Sequence, residues 1–207
     1  MYTPTQFSEA DQERIEKLIR DHGFATLVSV TADAPLVTHA PLQMDRARNV
    51  LIGHLAEANP HAAALQNGAL MLAIFHGPHA YISPTWYRDE NPRVPNVPTW
   101  NYAVVHVSGR VTRIDGDGAK WLIVHDLAMQ YEADAAAPWD ARGLLAHSGK
   151  LGAIVGFEMA IERIDAKFKL SQNRSVADQQ GVISALQGGD SSEAQATAGL
   201  MRENLRA

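Results

Sequence analysis

Short blocks in which apolar and polar residues alternate run through most of this chain, and they predict strands. Phe24–Val30 (FATLVSV) is rich in β-formers and reads as a strand, and a turn, ADAP, leads to a second at Leu36–Met44. Pro41 interrupts that second strand and marks an edge, a bulge or a place where the ladder opens to a ligand. Val50–Ala56 follows a polar turn as a third strand, Ala69–Phe75 is a buried fourth, and Ala103–Ile114 is a long fifth. Leu151–Ile164 is ambiguous by period, but Gly152 and Gly156 favour strand over helix.

Helical period appears between these blocks. Ser8-Glu-Ala-Asp11 has the form of a capping box and predicts a helix that buries Ile15, Leu18 and Ile19 and ends near Gly23. Asn59-Pro60-His61 predicts a short capped helix that stops at Gly68. Asp117–Glu132 predicts an amphipathic helix with Trp121, Leu122, Val124, His125 and Met129 on its apolar face. Ser175–Gln187 predicts another, and a polar helix follows the Gly188-Gly189-Asp190 break. Short turns between strands favour antiparallel pairing. The economical architecture is mainly β (α+β): a six- or seven-stranded antiparallel barrel over residues 1–174, peripheral helices, and a helical extension over residues 175–207.

The segment Gly77–Tyr102 breaks the pattern. It holds half of the ten prolines, so an ordinary central strand or helix is not expected there. It also carries Tyr81, Trp86, Tyr87, Trp100 and Tyr102, aromatics that call for a large flat surface. A partner subunit, an aromatic cofactor and the protein's own core all satisfy that demand.

Composition narrows the chemistry. There is no cysteine, which excludes disulfides, thiolate catalysis and cysteine-held metals. Net charge is −5, which argues against a general field for DNA or anionic membranes. Arg163, Lys167, Lys169 and Arg174 form a local basic cluster. No apolar run reaches ~18 residues and no signal peptide is read, so the cytoplasm is the default expectation.

Several constellations invite a chemical reading. A helix opening at Asn59-Pro60-His61 offers backbone donors to a phosphate, although a capped helix with no ligand has the same sequence. His39 and His54 lie mid-strand, where a neutral imidazole can hydrogen-bond a bound ring. No zinc motif is present, and no metal is expected. His106 and His125 read as core histidines. Ser171 near Lys169 is a weak Ser–Lys pair, and no P-loop, GxGxxG or nucleophile elbow appears. The catalytic residues, if any, are unknown.

In order along the chain, MYTPTQF, VTHAPL (37–42), GHLAEANPH (53–61), AYISPTWY (80–87), VPTWNY (97–102) and KFKLSQNR (167–174) resemble the PaiB family of FMN-binding negative transcriptional regulators. That resemblance implies an FMN-binding split barrel, related to pyridoxamine-phosphate oxidases and flavin reductases, in a homodimer with flavin at the subunit interface. It implies that Thr38, His39, Ala40 and Pro41 run beside the flavin ring and that His54, Leu55 and Ala56 continue that surface. Asn59 and His61 would stand at the phosphate end. Trp100 and Asn101 would come from the proline-rich loop, and Lys169, Gln172 and Asn173 would close the site. Split-barrel oxidases grip phosphate with Arg or Lys, and this chain has no cation between Val50 and Phe75.

Three functions follow as expectations: a flavin-dependent or flavin-sensing regulator, an FMN-dependent oxidoreductase, and a cofactor-free interaction module. No basic recognition helix is visible, and Asp178, Asp190, Glu193 and Glu203 are poorly placed to approach phosphates. Any regulation is therefore expected to be indirect, without direct DNA binding.

Overall fold

The alternating blocks become six strands in the computed structural model, which describes residues 1–32, 34–88, 95–132, 135–136 and 148–206. The strands are β1 (Phe24–Val30), β2 (Pro35–Asp45), β3 (Val50–Ala56), β4 (Leu70–Ile82), β5 (Thr99–Ile114) and β6 (Ile154–Lys169). They close into an antiparallel ring in the order β1-β2-β3-β6-β5-β4. Closure leaves no unpaired sheet edge. β1 and β2 pair from Phe24↔Pro41 to Val30↔Pro35, and β1 and β4 from Thr26↔Ile74 to Val28↔Leu72. β3 pairs with β2 from Leu42↔Gly53 to Asp45↔Val50, and with β6 from Val50↔Ala160 to Ala56↔Ile154.

The helices are α1 (Gln12–Asp21), α2 (Pro60–Ala64), α3 (Asp117–Glu132), α4 (Ser148–Gly152), α5 (Val176–Gln187) and α6 (Ser192–Arg206). Short 3-10 turns lie at Thr5–Phe7 and Pro84–Trp86. None of the described helices is long and apolar enough to cross a membrane.

Several expectations change. α1 is capped by Asp11, whose Oδ1 accepts from Glu13 N at 2.9 Å and Arg14 N at 3.4 Å. Ser8 is instead in a β-bridge with Lys167, so the capping-box reading was displaced by three residues. β4 does not stop at Phe75. It continues through Gly77 and Pro78 to Ile82, and β5 begins at Thr99, so Trp100, Asn101 and Tyr102 are strand residues. A proline lacks only its own N–H and remains compatible with extended backbone, and both ends of the aromatic-proline segment use that tolerance. Residues 89–94 of the segment lie outside the described residues.

Helix α3 turns the other way from its predicted face. Lys120, Ile123 and Leu127 are buried, whereas Leu122 and Met129 are exposed. His125 is not a core histidine: it stacks on Trp121 at 4.9 Å and bonds Asp126 Oδ1 at 2.9 Å. Leu151 belongs to α4, and β6 starts at Ile154 and runs on to Lys169.

The chain forms two compact units. One comprises Glu16–Phe75 and His106–Ile164. Its interior holds Leu27, Leu51, Ala73, Phe75, Val107, Phe157 and Met159, all fully buried. Gly109 of β5 is needed for close strand approach, because a Cβ there would collide with the Ala160 carbonyl. The other unit comprises Met1–Ile15, His76–Val105 and Asp165–Ala207. It buries Ile82, Val105, Leu170, Val182, Ala198 and Met201, and within it α5 packs against α6. β4, β5 and β6 each contribute one stretch to each unit.

Candidate functional site

The first cluster is built where β2 meets α2. Asn59 caps α2, accepting from His61 N at 2.9 Å through its side-chain oxygen. Its Nδ2 donates to Thr38 Oγ1 at 3.3 Å, and Thr38 Oγ1 lies 3.1 Å from His61 Nδ1. Since Thr38 Oγ1 already accepts from Asn59, its own proton is free to go to His61 Nδ1. With Nδ1 as acceptor of that proton, the neutral ring carries its single N–H at Nε2. His61 is 1% exposed, and its Nε2 has no hydrogen-bond partner among the described residues. Burial lowers its pKa from 6.5, which keeps the ring neutral. The cluster therefore holds out a buried, oriented N–H donor.

His54 on β3 is half-buried and is the second imidazole with a buried orphan atom. Its Nδ1 lacks a partner, and burial lowers its pKa as well. Ala40 and Leu55 are buried core residues, whereas His39 is exposed and its Nδ1 lies 3.1 Å from Thr26 Oγ1. Pro41 is half-buried and Ala56 exposed. The expected helix N-terminal phosphate site changes character. α2 has only five residues, too few for an appreciable dipole, and its cap uses the His61 N–H. Polar side chains, rather than helix donors, remain available.

One cation does reach α2. Arg113 of β5 donates from Nη1 to Ala62 O at 3.1 Å and pairs with Glu57 at 3.0 Å and Asp115 at 2.7 Å. Two carboxylates over-neutralise that guanidinium, so this end of the cluster stays neutral to acidic.

The second cluster belongs to the other unit. Trp100 is 52% exposed on β5, with His79 at 6.0 Å and Tyr81 at 6.1 Å between ring centroids. A cleft of about 360 Å³ is lined by His76, His79, Trp100, Tyr102 and Val104. Strand alternation points Trp100, Tyr102 and Val104 the same way, and the break in alternation at the buried Gly77-Pro78 pair brings His76 and His79 to one face. His79 and Tyr81 were not foreseen as neighbours of Trp100. Their i, i+2 spacing was the available signal, obscured by Pro78.

Lys169 ends β6 beneath Trp100. Its Nζ donates to Trp100 O at 2.6 Å and Thr99 Oγ1 at 2.8 Å. Burial lowers its pKa, with Lys167 and Arg174 adding repulsion. The ammonium thus meets neutral oxygens and, at 5.9 Å, the Phe7 ring, with a surplus of positive potential around it.

Neighbouring polar residues are committed inward. Asn101 is fully buried, donates to Ser171 Oγ at 2.9 Å and lies 3.4 Å from Met201 Sδ. Ser171 is held at φ 67°, a strained conformation for a non-glycine residue, and Ser171 Oγ donates back to Asn101 Oδ1 at 3.2 Å. Gln172 accepts from Leu170 N at 2.7 Å and donates to Phe168 O at 2.5 Å. Asn173 is exposed. Asn101, Ser171 and Gln172 therefore shape the turn that carries Lys169. Among the described residues no group of His, Asp and Glu is arranged to hold a metal.

A closed six-stranded antiparallel ring with peripheral helices is the split-barrel fold. The family described as "Putative FMN-binding domain" matches residues 1–163, and the chain belongs to it. "Protease synthase and sporulation protein PAI 2" of Bacillus subtilis is 34% identical over 209 residues, covering 100% of this chain and 99% of that protein. The family resemblance read from the sequence motifs is thereby shown. Among solved structures, the FAD and heme binding protein from Mycobacterium smegmatis superposes with a TM-score of 0.63 at 18% identity, covering 88% of this chain and 80% of that one. The flavocytochrome Anf3 from Azotobacter vinelandii superposes with a TM-score of 0.59 at 14% identity, covering 78% and 69%. At those identities the structures speak for the fold alone.

Proposed function

We propose that this chain is an FMN-binding split-barrel homodimer that works as a flavin-dependent or flavin-sensing regulator, without direct contact to DNA. The observation that carries the flavin reading is His61 Nε2, a buried N–H with no partner, oriented by Thr38 and Asn59 in a chain of an FMN-binding family. An unsatisfied buried polar atom costs about 1–3 kcal/mol, and a ligand oxygen would relieve it.

The residues present fit FMN. Thr38, His54 and His61 offer neutral polar groups to the ring or ribityl oxygens, Trp100 offers a flat apolar face, and Lys169 offers a charge suited to phosphate. In this reading the flavin lies at the subunit interface, as the family resemblance implies. FMN itself provides the redox chemistry when bound, and the chain's part is orientation and exclusion of water.

Dimerisation is supported by the outward side of β1, β2 and β4 within one unit. Phe24, Val30, Val37 and Leu70 are 67%, 83%, 57% and 59% exposed in the isolated chain. The register sets Val28 beside both Val37 and Leu72, making an apolar surface continuous across three strands. A soluble monomer rarely leaves such a surface open. The regulatory half rests on likeness to the sporulation protein. The indirect mode rests on the net charge of −5 and on a sequence that offers no helix-turn-helix with a basic recognition helix.

The test is the purified protein. Flavin absorbance bands, release of FMN on denaturation and a rise in Tm on adding FMN are expected. No Tm rise at saturating FMN overturns the cofactor, and a monomer at micromolar concentration overturns the shared site. A salt-dependent nanomolar footprint on DNA overturns the indirect mode.

A further inference from the structure

The C-terminal helices carry a feature that the flavin reading does not use. Arg88, Arg202 and Arg206 line one groove of about 360 Å³, with Ile183 and Leu205 beside them and Ser184 at the rim. All belong to the same compact unit. Three cations around one groove repel one another, in a chain whose net charge is −5.

Six arginines elsewhere are paired with acid, while Arg174 bonds Asn96 Oδ1 at 3.0 Å and lies over the Tyr87 ring. Arg14, Arg20, Arg46, Arg48, Arg110 and Arg113 each have a carboxylate within 4.0 Å. Among the described residues, none of the three groove arginines has such a pairing. Arg202 is oriented by a neutral group: the Gln187 side-chain oxygen, in the orientation that satisfies it, accepts from Nη1 at 2.6 Å and Nη2 at 3.2 Å. That contact positions the guanidinium and leaves its charge uncompensated.

Arg88 comes from outside the helices and is also held in place. Its backbone N–H donates to the buried Asp178 carboxylate at 2.8 Å. Its side chain crosses α5 at Gly181, where an added Cβ would lie 3.2 Å from Arg88 Cγ and would collide with Trp86 O. Favourable charge at a helix C-terminus accounts for Arg206, and in part for Arg202. It does not account for Arg88, which a separate segment brings to the same groove.

We propose that this groove binds the phosphate of a small organophosphate, with Arg88, Arg202 and Arg206 as its clamp. Guanidinium forks match phosphate oxygens in pairs, and three of them more than offset the two charges of a dianion. Ile183 and Leu205 give the organic body an apolar surface. A nucleic acid is disfavoured, because it calls for a stripe of cations on a chain of positive field, and here three arginines gather around one groove on a chain of net charge −5.

The experiment is calorimetric titration of AMP, adenosine and inorganic phosphate into the full-length protein, free of FMN and saturated with it. AMP is expected to bind in both states, more tightly than inorganic phosphate, with adenosine not binding. Arg88→Gln or Arg206→Gln should each weaken AMP about 10-fold or more, with Tm and FMN affinity unchanged. Raising the salt should weaken it further. Absence of AMP binding up to about 10 mM, equal binding of adenosine, or affinity unmoved by both substitutions overturns the proposal. Displacement of AMP by FMN overturns a site separate from the flavin's. Inorganic phosphate binding as tightly as AMP overturns the role of the apolar flank. Because the FMN-free arm stands by itself, failure here is distinguishable from failure of the flavin reading.

Discussion

Replacing Thr38 with valine removes one hydroxyl and keeps the side chain's shape. In the structure that hydroxyl oxygen accepts from Asn59 Nδ2 at 3.3 Å and meets His61 Nδ1 at 3.1 Å. Thr38→Val therefore orphans two polar atoms. Asn59 is half-exposed, so water takes over much of its lost bond. His61 is 1% exposed and has no such recourse. A buried orphan costs about 1–3 kcal/mol, and about 2 kcal/mol is a fair total here. For a chain of this size that corresponds to a fall in Tm of roughly 4–8 °C.

Scanning calorimetry at neutral pH reads the effect, and a double-mutant cycle assigns it. His61→Leu alone strands the Thr38 hydroxyl, but Thr38→Val with His61→Leu removes both partners and leaves an apolar pair. The double variant should be less destabilised than the sum of the singles by about 1 kcal/mol. Fixing of the His61 tautomer should also be lost in Thr38→Val, visible as a changed ring nitrogen signal by NMR. A Tm within about 1 °C of the parent, or strict additivity in the cycle, refutes the argument that Thr38 orients His61.

Other outcomes follow from the same geometry. His54 and His61 are both depressed below 6.5 by burial, so their stability contribution is fully present above pH 6.5 and is lost as pH falls toward their folded values; replacing both with leucine should flatten that part of the denaturation profile. Lys169→Met should weaken FMN about 10-fold or more by fluorescence titration, and unchanged affinity would assign the phosphate to another cation. Trp100→Ala should lose flavin while sedimentation still shows a dimer; a monomer would make the Trp100 cleft the subunit seam. Phe24→Asp, at a residue 67% exposed, should give a folded monomer, and a persistent dimer would move the seam off the β1–β2–β4 face.

Legibility of the fold depended on how local each signal was. β1, β3 and the start of the Asn59-capped α2 appear at their sequence limits, because alternation and capping are properties of adjacent residues, whereas α2 ends at Ala64, short of the expected stop at Gly68. The ends of β4 and β5 were hidden by prolines whose meaning depends on a neighbouring strand. Pro78 is compatible with the ladder only because of where its missing N–H falls, and no window of sequence contains that fact. The α3 face failed for a related reason. Trp121, Leu122 and Met129 outweigh Ile123 and Leu127 in apolar bulk, yet packing buried the smaller set together with Lys120, which pairs with Asp117 at 3.0 Å. Summed hydrophobicity along a helix does not decide which side a sheet covers.

The site divides along the same line. Thr38, Asn59 and His61 are 21 to 23 residues apart in pairs with Thr38, and their motifs were legible, but the unpartnered Nε2 emerges only from three-dimensional accounting. Asn101 shows the opposite case. Next to Trp100 in sequence, it points into the interior by strand alternation and holds the strained Ser171 turn and Met201. Its effect on any ligand passes through the placement of Lys169, two residues before Ser171. Asn101→Asp would put an unpaired charge in that interior, and its cost in folding would mask a cofactor phenotype. Lys169 and Trp100 are therefore the positions at which binding can be separated from stability, and Asn101 is where the two are coupled.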